Sequence, residues 1–286
     1  MRRIIALAFL FTVAFAGCNK GIEVNTNALA ALNVKDVAYG SDAAQKMDIY
    51  LPAGRTTTST KVLVFIHGGS WSSGDKSDFD EAITAILPRL TNYALVNINY
   101  RLAKSGANRF PTQMTDIQSA LDFVKSKSSE YVVDANTVGL IGASAGAHLA
   151  LLQAYKFNAD GRIKAVVDLF GPTDLNDLYV NHPFPTASQP VLVNFLGATP
   201  ATNASLYQQA SPINYITAQS VPTQIFHGDL DIVNPIGQSL ALKAKLQANN
   251  VKVEMITYTG EGHGWIGNTL VDTYNKAVTF ILQNVR

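Results

Sequence analysis

The 286-residue chain has one cysteine, Cys18, so no disulfide can form within it and no cysteine-built metal site is available. Charge is scarce too. Asp, Glu, Lys and Arg make up 15% of the residues against about 25% in ordinary globular proteins, and Ser, Thr, Asn and Gln cover the surface in their place. The formal net charge is +1 with no basic run, which removes the electrostatic footprint that nucleic acid or an acidic membrane surface requires. Internal repeats and low-complexity tracts are missing, and the apolar stretch Ile4 to Phe15 is too short to span a bilayer. Hydrophobic residues reach 47%, so a large core is possible, and the length suits one α/β unit.

The short apolar stretch follows Arg2 and Arg3 and leads into Phe15-Ala16-Gly17-Cys18, a small-residue cleavage site. It resembles a bacterial lipoprotein signal, in which the cysteine becomes the lipidated first residue, although Phe15 stands where such signals usually carry Leu. An ordinary cleaved signal with an incidental cysteine is the alternative. Either way the mature protein is expected outside the cytoplasm; the lipoprotein resemblance implies anchoring to a bacterial membrane, on the periplasmic side or at the cell surface. Residues 1–18 are therefore assigned to the signal, 19–33 to a polar linker and 34–286 to a single domain.

Within that domain, Lys46 to Leu51 alternates as a half-buried strand, and Val62 to Ile66 is a continuous apolar run, as a strand covered on both faces requires. This run empties into His67-Gly68-Gly69-Ser70-Trp71. Asp78 to Leu90 has helical spacing, Ala94 to Ile98 reads as a strand, and Gln113 to Lys127 as an amphipathic helix. Ala165 to Phe170, Thr223 to Phe226 and Val251 to Tyr258 continue the strands, with Pro235 to Gln247 and Thr269 to Gln283 as helices. Between about 173 and 221 five prolines interrupt the pattern, which suggests a cap-like insertion of short helices over the sheet edge. The alternation predicts an α/β fold: a mostly parallel sheet with helices on both faces and ligands at the carboxyl ends of the strands.

At that edge stands Gly142-Ala143-Ser144-Ala145-Gly146, between the apolar run Val138 to Ile141 and the helix-forming run Ala147 to Tyr155. It reads as a nucleophile elbow, a strand-to-helix turn so tight that a Cβ at either glycine strikes adjacent backbone and the serine is left exposed. Serine is a weak nucleophile until a histidine takes its proton, a carboxylate orients that histidine, and N–H groups meet the oxyanion. On such elbows the partners follow in the order Ser, then Asp or Glu, then His. Ser144, Asp231 and His263 obey it, and glycines on both sides of His263 let its loop reach the serine. The expected oxyanion donors are the backbone N–H groups of Ala145, Gly69 and Ser70.

The other histidines read differently. His148 on the elbow helix suits packing or a hydrogen bond, His227 secures its loop, His67 pins the glycine loop, and His182, in the insertion beside Pro183, could face substrate but is expected at the surface. Trp71 could line the acyl site or pack beneath the loop. Asp229, next to Gly228, is expected to accept backbone N–H bonds in the turn, and Asp231 to lie in the open part of the loop before a helix capped by Asn234-Pro235.

Taken together, His67 to Trp71 with Gly74-Asp75-Lys76, Asn99-Tyr100-Arg101-Leu102, the elbow, Ser211-Pro212, His227-Gly228 with Asp231, and Gly262-His263-Gly264 resemble the esterase/lipase branch of the α/β hydrolases. The likeness is greatest to feruloyl and acetylxylan esterase-like carboxylesterases, near the hormone-sensitive-lipase group. Ser70 departs from the glycine usual there, keeping its N–H but narrowing the acyl site. The resemblance implies the α/β-hydrolase fold and hydrolysis of carboxylic esters, short acyl or linked to plant polysaccharide, with no cofactor and no metal. It also supports Asp231 as the triad acid, by its offset from His227-Gly228. An aryl-formamidase or a prolyl-peptidase-like hydrolase would share the fold, although the chain lacks a propeller-sized gate for peptides. A lipid-anchored carbohydrate-binding protein without catalysis would be expected to have lost Ser, His or the glycines, and none is lost.

Overall fold

The computed structural model describes residues 29–104 and 106–286, so the expected signal, Cys18 and most of the expected linker lie outside the described residues. Among the described residues eight strands form one sheet: β1 (Leu32–Ala38), β2 (Lys46–Leu51), β3 (Lys61–Ile66), β4 (Tyr93–Ile98), β5 (Val138–Ala143), β6 (Ile163–Leu169), β7 (Thr223–Gly228) and β8 (Val253–Tyr258). Their spatial order is β1-β2-β4-β3-β5-β6-β7-β8, with the β1–β2 and β2–β4 pairs antiparallel and every pair from β4–β3 onward parallel. The linker expectation ran slightly too far, because Leu32 and Asn33 already pair with Leu51 and Tyr50. Their side chains are too exposed to leave an apolar pattern in the sequence.

The apolar runs follow from burial on both faces. Along β3, Val62, Val64 and Ile66 enter one core while Leu63 and Phe65 enter the other, the period of two that a pleated strand imposes. The first core is covered by α2 (Thr112–Ser126), α4 (Ala145–Lys156) and α8 (Gly237–Ala248), and the second by α1 (Asp80–Ile86) and α9 (Gly267–Asn284). A short helix, α3 (Ser128–Tyr131), follows α2. Between β6 and β7 lie α5 (Leu175–Asn181), α6 (Pro185–Leu196), α7 (Ala204–Ala210) and the 3-10 turn Pro212–Tyr215. Leu192, Phe195 and Tyr207 join these helices to the first core, so the segment is packed onto the sheet rather than hung from it.

Candidate active site

The carboxyl ends of β3, β5, β7 and β8 converge on one place. At the end of β5, Ser144 has φ 52° and ψ −121° and opens α4, and its N–H is held by the Leu169 carbonyl at 2.8 Å. Only the elbow glycines permit this turn: a Cβ on Gly142 would lie 2.3 Å from the Gly146 carbonyl oxygen, and one on Gly146 would lie 2.0 Å from that of Ile66. Strain collects around the serine. Ser70, Trp71 and Phe170, like Ser144, are non-glycine residues with φ between 48° and 60°, a region that costs of order 1–3 kcal/mol per residue.

The His263 ring, on the loop between β8 and α9, reaches this serine. Its Nδ1–H donates to Asp231 Oδ2 at 2.7 Å, which leaves Nε2 to accept the Ser144 hydroxyl at 2.8 Å. Gly228 makes the approach possible, since a Cβ there would come within 2.3 Å of the Glu261 carbonyl oxygen and hold the two loops apart. The Phe170 ring stands edge-on to the imidazole, 4.7 Å away, and forms the wall behind it.

Asp231 is buried, which corrects the expectation that it lies in the open part of its loop. Its Oδ1 accepts from the N–H groups of Val233 and Asn234 at 2.8 and 2.9 Å, and the bend this makes draws the carboxylate inward. Asn234 is consequently no helix cap. Its side chain donates to the Phe170 carbonyl, its own carbonyl accepts from His227 Nε2, and α8 starts only at Gly237. His227 Nε2 also lies 3.3 Å from Asp231 Oδ2, while Nδ1 accepts from the Ser239 hydroxyl. Burial opposes charge on Asp231, but the hydrogen bonds from His227, His263 and Asn234 outweigh it and hold the carboxyl well below the usual range. Asp229 takes no part: its Oδ1 accepts the Gly260 N–H at 2.7 Å and ties the acid loop to the histidine loop.

The glycine loop after β3 lies against the elbow, with Gly68 so close that a Cβ on it would be 3.3 Å from that of Ser144. The His67 ring stacks on Tyr100 at 4.3 Å, with Nδ1 2.8 Å from the Gly68 carbonyl oxygen, and Tyr100 donates to the His67 carbonyl at 2.9 Å, so the loop is fixed from below. Among the described residues no protein acceptor takes the N–H groups of Gly69, Ser70 or Ala145. Trp71 has both of the roles open to it. Its buried ring stacks on Phe195 of α6 at 4.3 Å and donates to His148 Nδ1 at 3.1 Å, and it also borders the cavity. The other nitrogen of His148 donates to the Ala210 carbonyl at 2.7 Å, and burial lowers this histidine to about 4, so it stays neutral.

The cavity beside Ser144 measures about 340 Å³ and is bordered by Ser70, Trp71 and Ala145 on the sheet side. The segment between β6 and β7 and the residues Ile232 to Asn234 close it from above. His182 proves to be buried and to border the cavity rather than to lie at the surface: Nδ1 accepts from the Phe184 N–H, and Nε2 lies 3.2 Å from the Val233 carbonyl oxygen, bracing the two walls together. The residues that sequence reasoning left out are Phe170 and Asn234, together with His227 as a direct partner of Asp231. Only the spacing of His227 and Asp231 carried a signal, since both lie at the carboxyl end of β7, His227 in the strand and Asp231 in the loop after it.

A protein-family model described as BD-FAE matches residues 47–246. The chain is 32% identical over 218 residues to the probable carboxylic ester hydrolase LipM of Mycobacterium tuberculosis, covering 71% of this chain and 49% of that protein. It is 27% identical over 246 residues to the esterase LipC of the same organism, covering 80% and 59%. The chain thus spans about half the length of the curated relatives it matches. A solved structure described as a bifunctional GH43-CE protein of Bacteroides eggerthii superposes with a TM-score of 0.78 at 26% identity, covering 89% of this chain and 35% of that one.

Proposed function

The chain belongs to the BD-FAE family and has the α/β-hydrolase fold, and from that premise we propose that it hydrolyses carboxylic esters through a covalent acyl-enzyme on Ser144. The observation that carries this reading is the continuous hydrogen-bond chain from Ser144 through His263 to Asp231, with links of 2.8 and 2.7 Å. As Ser144 Oγ attacks the ester carbonyl, His263 Nε2 takes its proton, and the resulting imidazolium is stabilised by the ionised Asp231. Charge that develops on the carbonyl oxygen is met by the N–H groups of Ala145, Gly69 and Ser70, which have no acceptor to give up among the described residues. His263 then returns the proton to the leaving alcohol, and water releases the acid by the same path.

The substrates proposed are short acyl esters, free or carried on plant polysaccharide, and no cofactor or metal is required for any step. Turnover of nitrophenyl butyrate by the full chain tests the reading. Activity is expected in the unaltered protein and loss of at least ~10³-fold in Ser144→Ala; undiminished activity in that variant would reject it. We propose further that Cys18 is a lipid attachment point outside the cytoplasm, supported by its place after the apolar stretch at the amino terminus. Cys18→Ser is expected to move the protein from the membrane to the soluble fraction, and unchanged membrane recovery would refute the anchor.

A further inference from the structure

The cavity beside Ser144 has one wall built from a single stripe of one helix. Phe184, Ala187, Ser188, Val191 and Leu192 all border it, at spacings of 0, 3, 4, 7 and 8 along α6 and its cap, which is one face of an α-helix. Phe195, the next residue of that stripe, stacks on Trp71 and seats the helix on the glycine loop. Leu178, Ile232 and Val233 complete an aliphatic enclosure, and Phe184, Ile232 and Val233 are exposed at its rim.

We propose that this cavity receives the acyl part of the ester, that the acyl group is aliphatic and several carbons longer than acetyl, and that the α6 stripe sets its length. The inference rests on the hydrolytic reading of Ser144. Four observations carry it. Ser70 and Ala145, whose N–H groups flank the serine, border the cavity, whereas His263, which has to face the departing alcohol oxygen, does not; the space therefore lies on the acyl side. A sugar would need many hydrogen bonds, yet both nitrogens of His182 are engaged by the protein and Asn234 Nδ2 is held by the Phe170 carbonyl, so that Ser188 Oγ and Asn234 Oδ1, which have no partner among the described residues, are too few to bind one. A flat aromatic acid would need a ring face deep in the cavity on which to stack, but Trp71 is stacked on Phe195 and its edge is taken by His148, which leaves only the Phe184 ring at the rim. With roughly 30 Å³ for each water-sized group, a cavity of about 340 Å³ has space for a chain well beyond two carbons.

The test uses nitrophenyl esters from acetyl to decanoyl and the phenylpropionyl ester, with the full chain and with Ala187→Trp and Val191→Phe. Burial of each methylene is expected to raise kcat/KM about fourfold from acetyl up to roughly hexanoyl, with phenylpropionyl below hexanoyl. Each variant is expected to lower kcat/KM for hexanoyl relative to acetyl by at least tenfold while keeping its melting temperature. In parallel, straight-chain methyl ketones are titrated calorimetrically into Ser144→Ala protein, where Kd should fall with chain length. A chain-length gradient in ketone binding without turnover of any ester would support the pocket and reject the hydrolytic reading. Turnover that favours acetyl or phenylpropionyl, or a chain-length profile unmoved in two folded variants, would overturn the pocket and leave hydrolysis standing.

Discussion

Two aspartates are buried along the carboxyl edge of the sheet, Asp231 in the loop after β7 and Asp168 near the end of β6, and their surroundings drive them in opposite directions. Asp231 receives N–H groups from His263, Val233 and Asn234, has His227 Nε2 3.3 Å away, and is held ionised. Asp168 receives one, from Gly171 at 2.7 Å, while its Oδ2 has no partner among the described residues, and burial pushes its carboxyl up to about 7. Burial is common to both. What separates an acid that can stabilise an imidazolium from one that sits near neutrality is the number of donors the backbone and neighbouring histidines bring to it.

The largest effect is expected from removing charge where donors are many. Asp231→Asn keeps the shape of the side chain but leaves His263 without its counter-charge, and kcat on a short ester should fall on the order of 10⁴-fold. A folded Asp231→Asn enzyme with near-normal kcat would erase the functional side of the comparison. His148 is the histidine counterpart of Asp168, since burial disfavours its charged form too. His148→Ala strands the Trp71 indole N–H and the Ala210 carbonyl, at ~1–3 kcal/mol for each unpaired group, so its urea midpoint should drop markedly. An unchanged midpoint would mean that the contact between glycine loop and insertion contributes nothing.

Asp168→Asn should act through pH. The carboxyl of Asp168 titrates higher folded than unfolded, so its contribution is fully present below about pH 4, declines as pH rises towards 7, and is level beyond. The variant has no such decline, and its melting temperature should match the parent near pH ~4 and exceed it near pH ~8. Equal differences at both pH values would show that Asp168 is ionised throughout. Asp229→Asn is expected to do least, about 1 kcal/mol of stability or less with little change in rate, because its carboxylate holds a turn and does not touch His263. An inactive Asp229→Asn beside an active Asp231→Asn would reverse the two loop carboxylates.

How far these features could be read from the chain depended on how local their causes are. The elbow was legible because a tight strand-to-helix turn excludes Cβ atoms within five residues, and β3 because a doubly covered strand has to be apolar throughout. The donors to Asp231 were not legible: Val233 and Asn234 contribute backbone N–H groups, which any residue type has, and Asn234 beside Pro235 mimicked a helix cap. The acyl-pocket stripe on α6 was hidden for another reason. Pro185 and Pro190 break the propensity signal, and a face turned to a cavity has the same period as one turned to the core. Phe170 was read as the end of a strand, and only its left-handed backbone and the loop from β8 bring it against His263.

The central claim, that Ser144 is the nucleophile activated by His263 and Asp231, is tested most directly by intact-protein and peptide mass spectrometry after exposure to an alkyl fluorophosphonate. One adduct per chain is expected, on Ser144, formed far more slowly in Asp231→Asn and absent from Ser144→Ala. An adduct on another residue, or labelling that persists in Ser144→Ala, would contradict it.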